Sequence, residues 1–275
     1  MTDGEGSDPR PVALLVGCSG DIGAAIAQTL VTRGMRVFGT SRSGHSTGGT
    51  DLIPLPLDVT DAATVVVAVR RVVDETGRLD VLVHNAGATL VGALEETTDA
   101  EAAAMLETNL LGTHRVVREA LPHLRRSRGR VIITGSLAGF VAKPYEGWYA
   151  VAKHGLDAYA ETLRSEVSPL GVRVTLLEPG FVRTALGQHA AVVTEPMPLY
   201  DRARRSALAG LDRDLAKGVP PARVADAVAR VLQQEKPPLR VPVGPDARTL
   251  NLVKRLLPDR LFERGMAARF RTRDA

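Results

Sequence analysis

The chain has 275 residues, 44% of them apolar and 24% charged, enough for one large α/β unit with a buried core. No stretch approaches the roughly 18 consecutive apolar residues of a membrane-spanning helix, the single cysteine, Cys18, has no disulfide partner in the chain, and the opening MTDGEGSDPRP lacks the basic start and apolar run of a signal peptide. A cytoplasmic protein is expected, with residues 1–11 as a disordered leader and membrane contact unlikely to matter to it; the net charge of +4 gathers toward the C-terminus without an aromatic–basic pattern, which argues against nucleic acid as a partner.

In chain order, short apolar runs of β type at 12–16, 36–40, 53–57, 80–83, 130–134, 172–177 and 239–243 alternate with helical stretches at 22–33, 61–76, 99–124, 147–168 and 221–234. Strands this apolar are buried on both faces, and β-α-β alternation demands a parallel sheet covered by helices on each side. The fold class is therefore α/β, a single doubly wound Rossmann domain over 12–245 with a sheet of about seven strands. Ligands bind such sheets beyond the carboxyl ends of the strands, so the loops 17–23, 41–45, 84–89, 135–147 and 179–186 should line one crevice. The segment 185–220 shows no strong strand pattern and is expected to cover the substrate. Residues 246–275 form a helical extension, with 247–271 reading as one basic amphipathic helix whose Leu250, Val253, Leu257, Leu261 and Phe262 are expected to face the core, the alternative being that the same face rests on an acidic membrane surface.

Gly17-Cys18-Ser19-Gly20-Asp21-Ile22-Gly23 follows a strand and opens a helix, where backbone N–H groups and the helix dipole can meet a pyrophosphate. A carboxylate at Asp21 would repel that group, so it is expected to turn outward and cap the helix. After the second strand, Thr40-Ser41-Arg42 offers no acid for a ribose 2′-OH but does offer a guanidinium for a 2′-phosphate, which points to NADP(H). Asp58 in Leu57-Asp58-Val59 is a candidate cap for 61–76, and His84-Asn85-Ala86-Gly87 is a small-residue turn closing a buried strand. Tyr149 and Lys153 lie four residues apart on one helical face, an arrangement in which the ammonium, together with the positive nicotinamide of an oxidised cofactor, should pull the phenol's pKa down toward working pH. Ser136 stands 13 residues before Tyr149, just past a strand, and Asn109 is out of place inside a long helix.

The order and spacing of Gly17, Asp58, Asn85, Asn109, Ser136, Tyr149, Lys153 and Pro179 resemble the short-chain dehydrogenase/reductase family over roughly residues 12–185. Val16, Asp21 and His84 depart from the family's usual Thr, Gly and Asn. The resemblance implies a catalytic set of Asn109, Ser136, Tyr149 and Lys153. It also implies a dinucleotide held by Gly17, Ser19, Gly20, Asp21, Ile22, Gly23, Ser41, Arg42, Asp58, Val59, Asn85, Ala86 and Gly87, with Tyr149, Lys153 and the segment Pro179, Gly180, Val182, Thr184 at its nicotinamide end. The implied activity is a ketoreductase of CH–OH/C=O type, in which Tyr149 exchanges a proton with the oxygen as hydride moves to or from the carbon. No metal is expected, because the six histidines are dispersed.

The expected substrate is a hydrophobic, cyclic ketone or its secondary alcohol, with polyketide and aromatic ketones equally open, and with Leu186, Val192, Val193, Met197, Leu199 and Tyr200 making an apolar site and Tyr145 and Trp148 its wall. The C-terminal stretch looks similar to the hydroxysteroid and retinol dehydrogenase branch of the family. A homodimer or homotetramer formed through 99–124 and 147–168 is also implied. Two alternatives stand beside this reading: an NAD-dependent alcohol dehydrogenase of the same fold, and a non-catalytic NADP-binding regulator, favoured by Asp21.

Overall fold

The computed structural model describes residues 8–44, 51–258, 260–262 and 264–265. In chain order the elements are β1 (Val12–Val16), α1 (Asp21–Thr32), β2 (Arg36–Ser41), β3 (Leu52–Pro56), α2 (Ala62–Thr76), β4 (Val81–His84), β5 (Leu90–Val91), α3 (Asp99–Leu106), a π-helical turn (Glu107–Leu111) and α4 (Gly112–Ser127). They continue as β6 (Arg130–Thr134), α5 (Gly147–Val167), β7 (Arg173–Pro179), β8 (Ala191–Val192), α6 (Asp201–Ala216), α7 (Ala222–Gln233), β9 (Arg240–Val243) and α8 (Pro245–Leu256). Seven strands form one parallel sheet in the order β3-β2-β1-β4-β6-β7-β9. Strand order reverses between β1 and β4, the place where such sheets open a crevice. Register fixes what meets there: Val16 pairs with Thr40 on one side and His84 on the other, so the chain leaves all three strands at one level.

Alternate side chains feed two cores. Leu14, Phe38, Leu82 and Ile133 pack beneath residues of α2, α4 and α5, while Ala13, Leu15, Val37 and Ile132 pack beneath residues of α1 and α7. Each fully buried Leu or Ile stabilises the fold by about 1.5–3 kcal/mol relative to an exposed one. α2 starts at Asp61, whose carboxylate accepts from Ala63 N at 2.8 Å, and stops at Gly77 with φ 71. Asp58, expected as that cap, instead accepts from Thr60 N at 2.9 Å and Thr60 Oγ1 at 2.7 Å.

All seven expected strands and the helices α1, α2, α5 and α7 form, with ends within two residues of expectation. Three expectations need correction. The helix expected at 99–124 is α3 and α4 joined by the π turn around Asn109 and runs on to Ser127. The 185–220 cover contains β8, paired with β5 beside the main sheet, and a full helix, α6. The C-terminal helix is broken: α8 ends at Leu256 ahead of Pro258, since proline disfavours a helical residue before it, and residues 260–262 are helical again. Leu250 and Phe262 do pack against Leu137 and Val141, but Leu257 and Leu261 are 40% and 52% exposed. The leader's first seven residues and the far end of the extension lie outside the described residues. Among the described residues no helix is long and apolar enough to cross a membrane.

Candidate active site

The glycine turn after β1 is built by close approach. Gly17 has φ +85, and a Cβ there would lie 2.7 Å from the Ala86 amide nitrogen; one on Gly23 would lie 2.1 Å from the Gly17 carbonyl oxygen. Asn85 Nδ2 donates to that same oxygen at 3.0 Å, while Gly17 N and Cys18 N both donate to Thr40 O at 3.1 and 2.9 Å. Backbone contacts thus lock the ends of β1, β2 and β4 together. Ser19 and Gly20 are exposed and a Cβ on Gly20 would meet nothing within 4 Å, which leaves an open shelf at the N-terminus of α1, where amide groups favour an anion. The half-buried side chain of Ile22 packs against the core beneath α1. Asp21 does not make the expected cap: the α1 N-cap, Gly20, receives no side-chain bond, and Asp21 Oδ2 instead accepts from Ala185 N at 2.9 Å. Its carboxylate tethers the loop after β7.

Further along the same edge, Ser41 is buried and Arg42 is exposed in the turn after β2. Hydrogen bonds from Thr60 hold the Asp58 carboxyl below its usual range, and the Arg42 charge adds to the effect, so the two groups face one site. Val59 packs against Gly112, where a Cβ would come within 2.8 Å of it. The shelf, the exposed guanidinium and Asp58 fit the pyrophosphate and adenosine of a dinucleotide.

Ser136, Tyr149 and Lys153 converge between β6 and α5. Ser136 leaves β6 in extended backbone, its Oγ accepting from Ala138 N at 3.1 Å, and its side chain lies near enough to the Tyr149 phenol to oppose the rise in that group's pKa. Lys153 is 5% exposed; its Nζ donates to Thr134 O at 3.1 Å and lies 5.7 Å from the Tyr149 ring centroid. Burial pushes the Tyr149 phenol up to about 12, opposed by Ser136 and reinforced by Glu146, and burial brings Lys153 down to about 8. The expected lowering of the phenol by the ammonium is therefore not what the protein's own groups produce, because desolvation outweighs the charge beneath the ring.

Asn109, fully buried, accounts for the π turn. Its Nδ2 donates to Ala88 O and Met105 O, both at 3.0 Å, and its Oδ1 accepts from Ala88 N at 3.2 Å; the helix widens by one residue to aim this side chain at the strand β4 loop. A Cβ on Gly87 would lie 2.8 Å from Asn109 Oδ1 and 3.7 Å from Lys153 Nζ, so loop, amide and ammonium meet at one point. Behind them, burial holds His84 neutral with its pKa at about 3, its Nδ1 3.4 Å from Thr113 Oγ1.

Pro179 ends β7. Gly180 N donates to Val243 O at 2.9 Å and Phe181 N to Asp246 Oδ2 at 2.6 Å. Val182 is buried and bridges Val219, so its side chain faces the core, whereas Thr184 stays half-buried at the rim, its Oγ1 accepting from Leu186 N at 3.4 Å. A cleft opens over Ser136 and Tyr149, with Val141, Phe181, Leu186 and Leu211 among its lining residues together with Lys143 and Glu146.

Of the loop residues expected there, Leu186 lines the cleft. Val192 and Leu199 are 40% and 79% exposed, Val193 packs on Leu90, Tyr200 hydrogen-bonds Glu95, and Met197 N donates to Glu96 Oε1 at 2.9 Å. Trp148 packs with Leu90 and Met105 rather than forming the wall, and Tyr145 stands behind Phe181 and Leu186. What sequence reasoning missed is α6, whose Leu211 and Leu215 close the cleft and whose Arg204 pairs with the buried Glu96. The signal was present: Ala203, Ala207, Leu211 and Leu215 recur every four residues among charged neighbours.

Residues 11–192 match the family model described as short chain dehydrogenase. The chain belongs to the short-chain dehydrogenase/reductase family. It is 31% identical to 3-ketodihydrosphingosine reductase of Bacteroides thetaiotaomicron over 92% of this chain and 95% of that one. It is 35% identical to human 17-beta-hydroxysteroid dehydrogenase type 1 over 70% of this chain and 62% of that one. Among solved structures, a short-chain dehydrogenase from Streptomyces avermitilis superposes with a TM-score of 0.80 at 32% identity, covering 96% and 98% of the two chains. The chain is accordingly an oxidoreductase of the type that acts on CH–OH and C=O groups.

Proposed function

We propose that this family member is an NADP(H)-dependent ketoreductase acting on a hydrophobic ketone, with Ser136, Tyr149, Lys153 and Asn109 as its catalytic set. The observation that carries the reading is that Ser136 and Tyr149 both line one mostly apolar cleft, with the buried Lys153 ammonium 5.7 Å from the phenol ring centroid. Gly17, Ser19, Gly20 and Gly23 would hold a pyrophosphate there, Asp58 and Val59 the adenine, Arg42 with Ser41 a 2′-phosphate, and Asn85, Ala86, Gly87, Gly180 and Thr184 the nicotinamide end. The bound dinucleotide supplies hydride to the carbonyl carbon.

The chain's own groups manage the oxygen. Ser136 positions it by hydrogen bonding, Tyr149 donates the proton, and the positive Lys153 beneath the ring stabilises the phenolate left behind. A phenol held near 12 is fully protonated at neutral pH, the state reduction requires. Asn109 fixes the Gly87–Ala88 loop against Lys153. Support for a hydrophobic substrate comes from the walls Val141, Phe181, Leu186 and Leu211 and from the ketodihydrosphingosine and hydroxysteroid in the names of the two relatives. The reading as a non-catalytic binder drew on Asp21, which instead holds Ala185. Exposed Leu111 and Val151 on the π turn and α5 favour pairing of two copies through the long helices.

The test is NADPH oxidation by wild type and Tyr149→Phe against steroid, aryl and long-chain ketones, with NADH in parallel. Turnover by wild type that the variant loses, at unchanged thermal stability, is the expected result. Tight NADPH binding with no turnover of any ketone would count against the reductase reading.

A further inference from the structure

The cleft beside Tyr149 is mostly apolar yet carries an ion pair. Lys143 and Glu146 both line it; their charged atoms are 2.6 Å apart and their side chains 12% and 8% exposed. Burying such a pair costs desolvation that its mutual attraction scarcely repays, and two apolar side chains would serve stability as well or better. Neither the shelf nor the Ser136–Tyr149–Lys153 group uses it. The backbone is bent to put it there: Tyr145 holds φ 67, a costly conformation for an aromatic residue that accompanies functional sites. Gly92 N secures the turn by donating to Tyr145 O at 2.9 Å. Glu146 then enters α5 as its N-cap, three positions ahead of Tyr149 and so on nearly the same face.

We infer that Glu146 receives an ammonium group that the substrate carries close to its carbonyl, so that the preferred substrates are hydrophobic amino ketones. This rests on the reductase reading above and names the substrate class of that site. With the carbonyl oxygen held between Ser136 and Tyr149, a nitrogen one or two carbons away falls within about one helical turn, roughly 5 Å, which is the axial spacing between Tyr149 and Glu146. A carboxylate has about four lone-pair sites, enough to serve Lys143 and a substrate ammonium together. Lys143 leans on the Phe181 ring, 5.0 Å from its centroid, and keeps Glu146 aimed into the cleft. An anionic substrate fits worse, since the carboxylate is the charge nearer Tyr149 and raises that phenol. The apolar remainder of the molecule runs along Val141, Phe181 and Leu211.

Wild type, Glu146→Gln and Lys143→Met are assayed with NADPH on three matched ketones: a long-chain 2-amino-3-ketone, its N-acetyl derivative and the nitrogen-free 3-ketone. The expected wild-type kcat/KM for the ammonium ketone exceeds that for the N-acetyl ketone by roughly 10-fold or more, the size of a charge-assisted hydrogen bond. In Glu146→Gln that ratio falls to within about two-fold of unity, and in Lys143→Met, where the carboxylate loses its competitor, it persists or grows. A wild-type ratio at or below one, or a preference that survives Glu146→Gln, overturns the amine assignment and leaves the reductase reading standing. Turnover of other ketones but none of these three does the same, whereas turnover of no ketone at all overturns both.

Discussion

Arg42→Ala separates the two coenzymes. The guanidinium is exposed in the turn after β2 and close enough to Asp58 to influence its carboxyl, so it sits where an adenosine ribose would be read, and no acidic side chain occupies residues 40–43. A charged hydrogen bond contributes about 1.5–3 kcal/mol. Exposure to solvent and salt argues for the lower end of that range, so kcat/KM for NADPH should fall roughly 10-fold while that for NADH stays within about two-fold. Because the 2′-phosphate contact is between charges in water, the NADPH KM of wild type should also rise with salt more steeply than that of the variant. Steady-state kinetics with both coenzymes at two ionic strengths measure this. An equal loss for both coenzymes would show that Arg42 acts through Asp58 or through the fold, and a wild-type preference for NADH would refute the 2′-phosphate assignment outright.

Other expectations follow from the same geometry. Gly17→Ala forces a Cβ within 2.7 Å of Ala86 N at φ +85, so coenzyme binding should be abolished and stability reduced by at least about 1–2 kcal/mol, measurable by fluorescence titration and denaturation. Arg204→Ala leaves Glu96, 2% exposed, without its ion-pair partner and should cost about 3–5 kcal/mol; a midpoint in urea unchanged from wild type would show that the pair does not anchor α6. Lys153, brought down to about 8, carries its charge below that pH and loses it above, so ketone reduction should plateau on the acid side and decline as pH rises through 8. A pH–rate profile flat through that range would contradict the role given to its charge.

Much of this was legible in the residues because the constraints are local. Strands such as VALLV and RVIIT are apolar on both faces only in a sheet covered twice, and glycines at 17 and 23 are demanded by backbone approach that any larger residue would block. Asn109 was legible as an anomaly, an amide inside a helix, although the π turn it creates was not. The cover was harder to read: α6 carries Arg and Asp on most of its surface and only a narrow apolar stripe, and its partners Glu96 and Phe181 are distant in sequence. Trp148 looked like a wall and instead packs, half-buried, against Leu90 and Met105, since the direction of α5 relative to β5 decides which way it points. For Tyr149, helix spacing reveals the neighbouring ammonium but not the burial that pushes the phenol up when only the protein's own groups act on it. Glu146, in a loop before a helix, reads as a solvated charge until the cleft around it is seen.

The most direct test of the central claim is transfer of the label from 4-deuterated NADPH. A hydrophobic ketone is incubated with the protein, and the product alcohol is examined by mass spectrometry. The account predicts one deuterium on the carbinol carbon with wild type and none with Tyr149→Phe. Coenzyme bound by wild type but no deuterium delivered to any ketone, or equal delivery by the variant, would contradict it.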